Sequence, residues 1–269
     1  MTDIERNKKI NSRLCGDYKY VQSLGHIVLG VFLQGSQNYN LDYDGSDIDT
    51  KAIIVPKFKD FILNKKPVST TLILPSNEHI DVKDIRLYMD CFQKQNINFI
   101  EILFTKFSNI NGDYYELFLP MIKNNEKIAH YNNYRAVNAI AGTVFEKRKA
   151  LCHPYPTLID KIEKYGFDPK QLHHIIRCTE FLERYIDGTP YAECLIPKTP
   201  EYLIKVKANC EYTKEQAIKI ADSCVEQVKA IKQRYFEEHE VKVDHEVEDL
   251  MNGVTYDVLK YAFAKEITV

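Results

Sequence analysis

Two aspartates in the first fifth of the chain have the spacing of a divalent-cation site. Asp47 and Asp49 are separated by Ile48 and precede the apolar run Ala52–Val55, which predicts a buried strand. Alternate side chains of a strand point to the same face, so the two carboxylates are expected side by side. Two adjacent carboxylates repel each other, and an Mg²⁺ ion bound to their oxygens removes that cost. The pair therefore predicts an oxygen-ligand metal site.

A Gly-Ser turn precedes the aspartates. The apolar run at residues 26–33 predicts a buried strand, and Gly35-Ser36 follows it. Backbone N–H groups of such a turn, together with the serine hydroxyl, can hold a phosphate beside the metal. Ser36 lacks the G-x-S-x-G surroundings of a nucleophilic serine, so phosphate binding is the expected role.

One pair of carboxylates holds two cations poorly, so a third carboxylate is expected from a neighbouring strand. Asp81 lies in the middle of the predicted strand 79–83, between apolar residues, where a carboxylate needs a partner or a cation to offset desolvation. Asp84 is the alternative. Its position directly before Ile85 fits a helix N-cap better.

The stretch GSQNYNLDYDGSDIDTKAIIVP, residues 35–56, resembles the signature of the DNA polymerase β-like nucleotidyltransferase superfamily. The form GSxNYN…DGSDIDTKAI is similar to its bacterial and phage "predicted nucleotidyltransferase" branch, the RlaP-type family associated with RNA repair. The segment IDVKDIRLYMDCFQKQNINFIEILF continues the likeness, which covers roughly residues 25–235. Asn96-Ile97-Asn98 stands where relatives show Asn-Pro. Glu101 in this segment has two interpretations, a structural hydrogen-bonded residue or a site residue.

This resemblance implies an α+β fold, with a polymerase-β-like core around a small mixed sheet and a C-terminal α-helical region. It implies two Mg²⁺ or Mn²⁺ ions held by Asp47, Asp49 and Asp81, and an NTP whose outer phosphates lie on Gly35 and Ser36. The reaction would transfer NMP to an acceptor hydroxyl and release pyrophosphate. RNA, as a tRNA-like or repaired 3′ end, is the expected acceptor. The alternatives are a small molecule, a protein side chain, or a non-catalytic nucleotide-binding regulator.

Positive charge for the phosphates must come from outside the Gly-Ser turn. Related enzymes often carry a basic residue shortly after it, and this chain has Gln37-Asn38 instead. Lys51, just past the aspartates, could neutralise phosphate or face solvent as an ordinary strand residue.

A second basic group lies in the helical half. Lys170, His173 or His174, and Arg177 recur at i, i+3/i+4 and i+7, so they share one helical face. The apolar residues between them indicate a largely buried helix, and buried cations need anionic partners. A solvated charged face is the alternative. The pattern GFDPK…H…R resembles the GYDxKxxxHxxR motif of the same branch, which favours His174 and implies nucleotide binding by Lys170, His174 and Arg177.

The periodic pattern divides the chain near residue 110. Strands are predicted at 27–33, 48–55, 70–74 and 79–83, and the pattern is helical from about residue 114. We therefore predict a catalytic core at 1–110 and a helical domain at 111–269. Within the latter, Asp168 is expected to cap a helix that begins with Pro169, and Thr213 with Gln216 fits a capping box.

Composition narrows the setting. The net charge of −2 gives no global basic field, so nucleic acid would be bound by a local patch. Seven scattered cysteines without a CxxC predict neither a disulfide framework nor a zinc site. No apolar run approaches roughly 18 residues and no signal core opens the chain, so we expect a cytoplasmic protein without membrane contact. The oligomeric state stays open.

Overall fold

A computed structural model describes residues 2–43, 45–156, 158–208 and 210–268. It confirms the α+β class, with a five-stranded mixed sheet followed by a C-terminal helical region. The contacts form two compact units. The first comprises Met1–Asn38, Asp44–Tyr131 and Val243–Val269, and the second comprises Tyr39–Tyr43 and Asn132–Lys242. The predicted division at residue 110 coincides with the end of the last strand. The first compact unit extends further, because it also contains the helices between residues 111 and 131 and the helix after residue 243.

The sheet of the first unit has the order β3-β4-β2-β1-β5. β2 and β4 run parallel, and the other neighbouring pairs are antiparallel. The hairpin of β3 and β4 is confirmed, whereas the three-residue β5 carries no sequence pattern that predicts it. The strands are β1 (Ile27–Leu33), β2 (Thr50–Val55), β3 (Ser69–Ile73), β4 (His79–Asp84) and β5 (Ser108–Ile110).

Helix α1 (Asp3–Ser23) covers one face of this sheet. A capping box of Thr2 and Glu5 begins the helix. Its buried side chains, such as Leu14, pack with the even-numbered residues of β2 and β4, among them Ala52 and Val82. Because side chains alternate along a strand, the odd-numbered residues of β2 and β4 are left for the other face.

The other helices of the first unit pack around the sheet. α3 (Ile85–Gln93) contacts β2 and β4, and α13 (His245–Ile267) packs against α3 and α5 (Gly112–Lys123). Phe99 places its ring about equally far from the ammonium groups of Lys51 and Lys83, at 5.1 and 5.2 Å from the ring centroid. The remaining helices are α2 (Phe58–Ile62), α4 (Ile97–Ile100), a 3₁₀ turn at Glu101–Leu103 and α6 (Asn125–Ala129).

The second unit is built around helix α9 (Pro169–Ile186). Asp168 caps this helix and Pro169 is its first residue, as predicted. The capping box of Thr213 and Gln216 is also confirmed. α9 packs against α7 (Asn133–Ala150), α10 (Tyr191–Leu195), α11 (Pro200–Ala208) and α12 (Lys214–Glu238), and the unit also contains α8 (Ile159–Tyr165). None of the helices in the described ranges is both long and apolar enough to cross a bilayer.

Candidate functional site

The Gly-Ser turn and the aspartate pair meet at one end of β1 and β2. Leu33, the last residue of β1, pairs with Thr50, the first residue of β2. One residue beyond this pair, the N–H of Gln34 donates to the carbonyl oxygen of Asp49 over 3.0 Å. The antiparallel ladder therefore holds the start of the turn beside the aspartate that precedes β2.

The turn itself has a defined geometry. Gly35 has a φ of +81°, which favours glycine, and Ser36–Asn38 form a single 3₁₀ turn. The N–H of Asn38 donates to the Gly35 carbonyl over 2.9 Å, and its side-chain amide donates to the Leu33 carbonyl over 2.9 Å. Within the described ranges, the backbone N–H groups of Ser36 and Gln37 have no backbone acceptor. Consecutive free N–H groups in a turn form an anion-binding surface.

Asp49 is oriented by the first residue of β4. Its Oδ1 accepts the backbone N–H of His79 over 2.9 Å and lies 3.4 Å from the ring Nδ1 of the same residue. Asp47, two residues earlier, is exposed. One carboxylate of the pair is thus fixed by a hydrogen bond, and the other faces solvent.

Asp81 and Asp84 have different surroundings on β4. Asp81 pairs in register with Lys51 of β2 and has the Lys83 ammonium 3.9 Å from its Oδ1. Asp84 is buried, accepts the N–H of Arg86 as the N-cap of α3, and forms a two-pronged ion pair with the Arg86 guanidinium. The N-cap interpretation of Asp84 is confirmed, and its oxygens are engaged in that role. Asp81 is therefore the better candidate for the third carboxylate.

Lys51 does not face solvent, so that interpretation is wrong. The residue is 3% exposed, and its Nζ lies 3.1 Å from Oε1 of Glu101. Burial lowers the pKa of the Lys51 amine to about 8. The negative charges of Asp81 and Asp49 act in the opposite direction and raise this pKa. Both aspartates therefore act on one ammonium group. Glu101 is its ion-pair partner, which favours the structural interpretation of that residue.

The donor set suits a hard divalent cation. Asp47, Asp49 and Asp81 offer carboxylate oxygens, the ligands that Mg²⁺ and Mn²⁺ prefer. In the part of the chain that the structure describes, no three acidic, histidine or cysteine side chains already surround one point.

A network from α1 supports the segment that carries the aspartates, and sequence reasoning missed it. Arg13 pairs with Asp17 and with Glu78, each over 2.8 Å. Glu78 accepts the N–H of Ile48 over 3.1 Å, and Asp17 accepts the hydroxyl of Thr50 over 2.6 Å. Ile48 and Thr50, the chain neighbours of Asp49, each form a hydrogen bond with a carboxylate that is ion-paired with Arg13. Only the i, i+4 spacing of Arg13 and Asp17 could have signalled part of this network.

The same helix also reaches the Gly-Ser turn. Arg6 donates from Nε to the side-chain oxygen of Gln37 over 2.9 Å and from Nη2 to the Gln37 carbonyl over 2.6 Å. Gln37 is buried. Gln37 stands where related enzymes often carry a basic residue, and its hydrogen bonds hold the guanidinium of Arg6 at the turn.

In the second unit, Arg177 stacks on an aromatic ring. Its guanidinium carbon lies 3.9 Å from the ring centroid of Tyr39. In the described part of the chain, neither the buried Nε of Arg177 nor the buried hydroxyl of Tyr39 has a hydrogen-bond partner. An unsatisfied buried donor on a cation favours an anionic ligand, because leaving it unpaired costs about 1–3 kcal/mol.

The sequence predicts buried cations on this face of the helix, and neither His174 nor Lys170 is one. Burial lowers the pKa of the His174 imidazole well below its usual range, and the neighbouring His173, Arg177, Lys170 and Lys147 lower it further. His174 is therefore a neutral hydrogen-bonding group at neutral pH. Lys170 is exposed, so the buried-cation expectation is wrong for this residue.

No family model matches this chain, and the search of curated proteins finds no match. Any function assigned to the chain therefore rests on its own residues and their geometry.

Proposed function

We propose that this chain is a metal-dependent nucleotidyltransferase with a polymerase-β-like core. The observation that carries the proposal is the hydrogen bond from Gln34 to Asp49. It joins the Gly35-Ser36 turn to the aspartate pair where β1 ends and β2 begins, and Asp81 lies on β4, the strand next to β2. Phosphate-binding N–H groups and metal-binding carboxylates are the two components that nucleotidyl transfer requires.

The proposed reaction forms a bond between an acceptor hydroxyl oxygen and the α-phosphorus of an NTP. The bond from that phosphorus to the β-phosphate oxygen breaks, and pyrophosphate leaves. When bound, two Mg²⁺ or Mn²⁺ ions on Asp47, Asp49 and Asp81 would stabilise the charge on the attacking and leaving oxygens. Asp81 accepts the proton of the hydroxyl. The N–H groups of the Gly-Ser turn bind the outer phosphates.

We also propose that Lys170, His174 and Arg177 bind phosphate of the nucleotide or the acceptor. Arg177 has a buried Nε without an acceptor in the described residues. His174 is neutral and surrounded by positive charges, which suits a hydrogen-bond donor to an anion. Lys170 is exposed and adds charge without a fixed geometry.

RNA is the proposed acceptor, as a tRNA-like or repaired 3′ end in the cytoplasm. The resemblance of the GSQNYN…DGSDIDTKAI stretch to RNA-repair-associated sequences supports this choice. A transfer assay distinguishes it from the alternatives. The protein is incubated with Mg²⁺ and each α-labelled NTP, together with RNA, with a protein mixture, or without a macromolecule.

Label in RNA supports RNA as the acceptor, and label in protein or in a small product identifies another acceptor. Asp47→Asn and Asp49→Asn should each abolish transfer, whereas Asp90→Asn should not, because Asp90 is an exposed carboxylate paired with Lys94. Transfer that persists in the first two variants, with the Asp90 control equally active, would contradict the proposed mechanism. NTP binding without turnover in any arm would point to the non-catalytic regulator.

A further inference from the structure

A cavity of about 270 Å³ lies at the other end of the central strands. Its walls are the turn between α1 and β1, the end of β2 with the start of α2, and the residues that join β4 to α3. β2 begins next to Asp49 and ends at Val55 in this wall. At about 3.3 Å per residue, six residues separate the cavity from the aspartate pair by about 20 Å. The cavity is therefore distinct from the proposed transfer site.

Cations outnumber carboxylates around this cavity. Four basic side chains and two acidic ones line it, together with His26. Each carboxylate forms one ion pair at short distance: Asp60 pairs with Lys65 over 2.7 Å, and Asp84 pairs with Arg86 over 2.7 Å. The two remaining basic residues are Lys57 and Lys66, and neither has an ion-pair partner in the described part of the chain.

The position of Lys57 is defined by the backbone around it. Its Nζ lies 3.9 Å from the point where a Cβ on Gly25 would stand. Gly25 has a φ of +85°, so the turn that forms this wall favours a glycine. The nearby carboxylate of Glu266 accepts the N–H of Phe58 and does not line the cavity. Lys57 thus lies at the cavity wall without an ion-pair partner in the described residues, although its charge is among those that lower the pKa of the Asp60 carboxyl.

We propose that this cavity binds a phosphate group, with Lys57 and Lys66 as its charged ligands. A lysine ammonium offers three donors and no acceptor, so two of them without carboxylate partners favour an anion with several oxygens. The ring of His26 provides a further donor on the same wall. The volume equals that of about nine water molecules, which accommodates a phosphate and part of the group that carries it.

The phosphate can belong to a free small molecule or to a polynucleotide backbone, and the two sources predict different titrations. Inorganic phosphate would saturate the cavity by itself in the first case. In the second case, a single-stranded RNA oligonucleotide would bind at lower concentration than inorganic phosphate, because further phosphates along the strand add contacts beyond the cavity.

The test follows the backbone amide NMR signals of Gly25 and His26 while the full chain is titrated with inorganic phosphate or with an RNA oligonucleotide. These amides line the cavity and are distant from the Gly-Ser turn, so they report this site alone. The variant is Lys57→Gln/Lys66→Gln. The control is Lys59→Gln, which removes one charge from α2, two residues after Lys57, at a position that does not line the cavity.

Saturable shifts of both signals are expected in the wild type and in Lys59→Gln. The double variant should need at least about tenfold more phosphate for the same shift. Unchanged signals elsewhere in the spectrum show that the variants are folded. The proposal is overturned if neither ligand moves these signals, or if the double variant and the control titrate alike. Because nucleotidyl transfer is not part of the readout, the result is independent of the proposed function.

Discussion

Acidification should weaken the helical unit through one buried histidine. His173 is 3% exposed, and its Nδ1 lies 3.0 Å from the carbonyl oxygen of Leu203 in α11. The pKa of this imidazole is lowered from 6.5 to about 4, mainly by burial. The hydrogen bond to Leu203 raises the pKa, and the positive charges of Arg177, Lys207 and Lys170 lower it. His173 is therefore neutral in the folded protein at neutral pH and donates from Nδ1 to the carbonyl.

The sign of the pH effect follows from proton binding. Below about pH 6.5 the unfolded chain protonates His173, whereas the folded chain does so only near pH 4. Between these values the unfolded state binds more protons, so the free energy of unfolding falls as the pH falls. The full difference between the two pKa values corresponds to about 3 kcal/mol, and about 2 kcal/mol of it is lost by about pH 5.

Urea unfolding followed by far-ultraviolet circular dichroism at about pH 7.5 and about pH 5 measures this loss. His173→Asn keeps an amide donor for Leu203 and removes the titration, so its free energy of unfolding should fall by about 2 kcal/mol less than that of the wild type. His239→Asn is the control, because His239 is an exposed histidine of the same unit. An equal pH dependence in His173→Asn and in the wild type would refute the reasoning.

Three further predictions concern the proposed site. Lys51→Met removes the buried ion-pair partner of Glu101 and should lower the free energy of unfolding by about 3–5 kcal/mol in denaturant titrations. The double variant Lys51→Met/Glu101→Leu should recover much of this loss, and a single variant as stable as the wild type would contradict the prediction. Glu78→Ala removes the acceptor of the Ile48 N–H and should weaken Mn²⁺ binding at least about tenfold by calorimetry, whereas Glu78→Gln should keep most of the affinity; equal losses would show that the hydrogen bond does not position the aspartates. Arg177→Gln should raise the KM for NTP about tenfold with a smaller change in kcat, and an unchanged KM would remove this residue from nucleotide binding.

Local signals in the sequence predicted much of the fold. The caps at Asp84, Asp168 and Thr213 satisfy helix donors within three residues, so their spacing alone identifies them. The apolar run at residues 26–33 predicted β1, and the turn before His79 predicted β4 as the hairpin partner of β3. β5 spans three residues and is defined by its pairing with β1, which no local pattern encodes.

The surroundings of the candidate site depend on distant pairing. The burial of Lys51 follows from the parallel register of β2 with β4, thirty residues away, and from Glu101 beyond α3. The link from Arg13 to Ile48 needs both the position of α1 and the turn at Glu78. A sequence read in local windows shows the residue types that bind metal and phosphate. It does not show which other charges lie beside them.

Parallel incubations with α-labelled and γ-labelled NTP test the central proposal most directly. Wild-type protein should transfer the α-label to an acceptor and release the γ-label as pyrophosphate in equal amount, whereas Asp49→Asn should do neither. Release of the γ-label as inorganic phosphate without α-label transfer, or equal transfer by Asp49→Asn, would contradict nucleotidyl transfer at these aspartates.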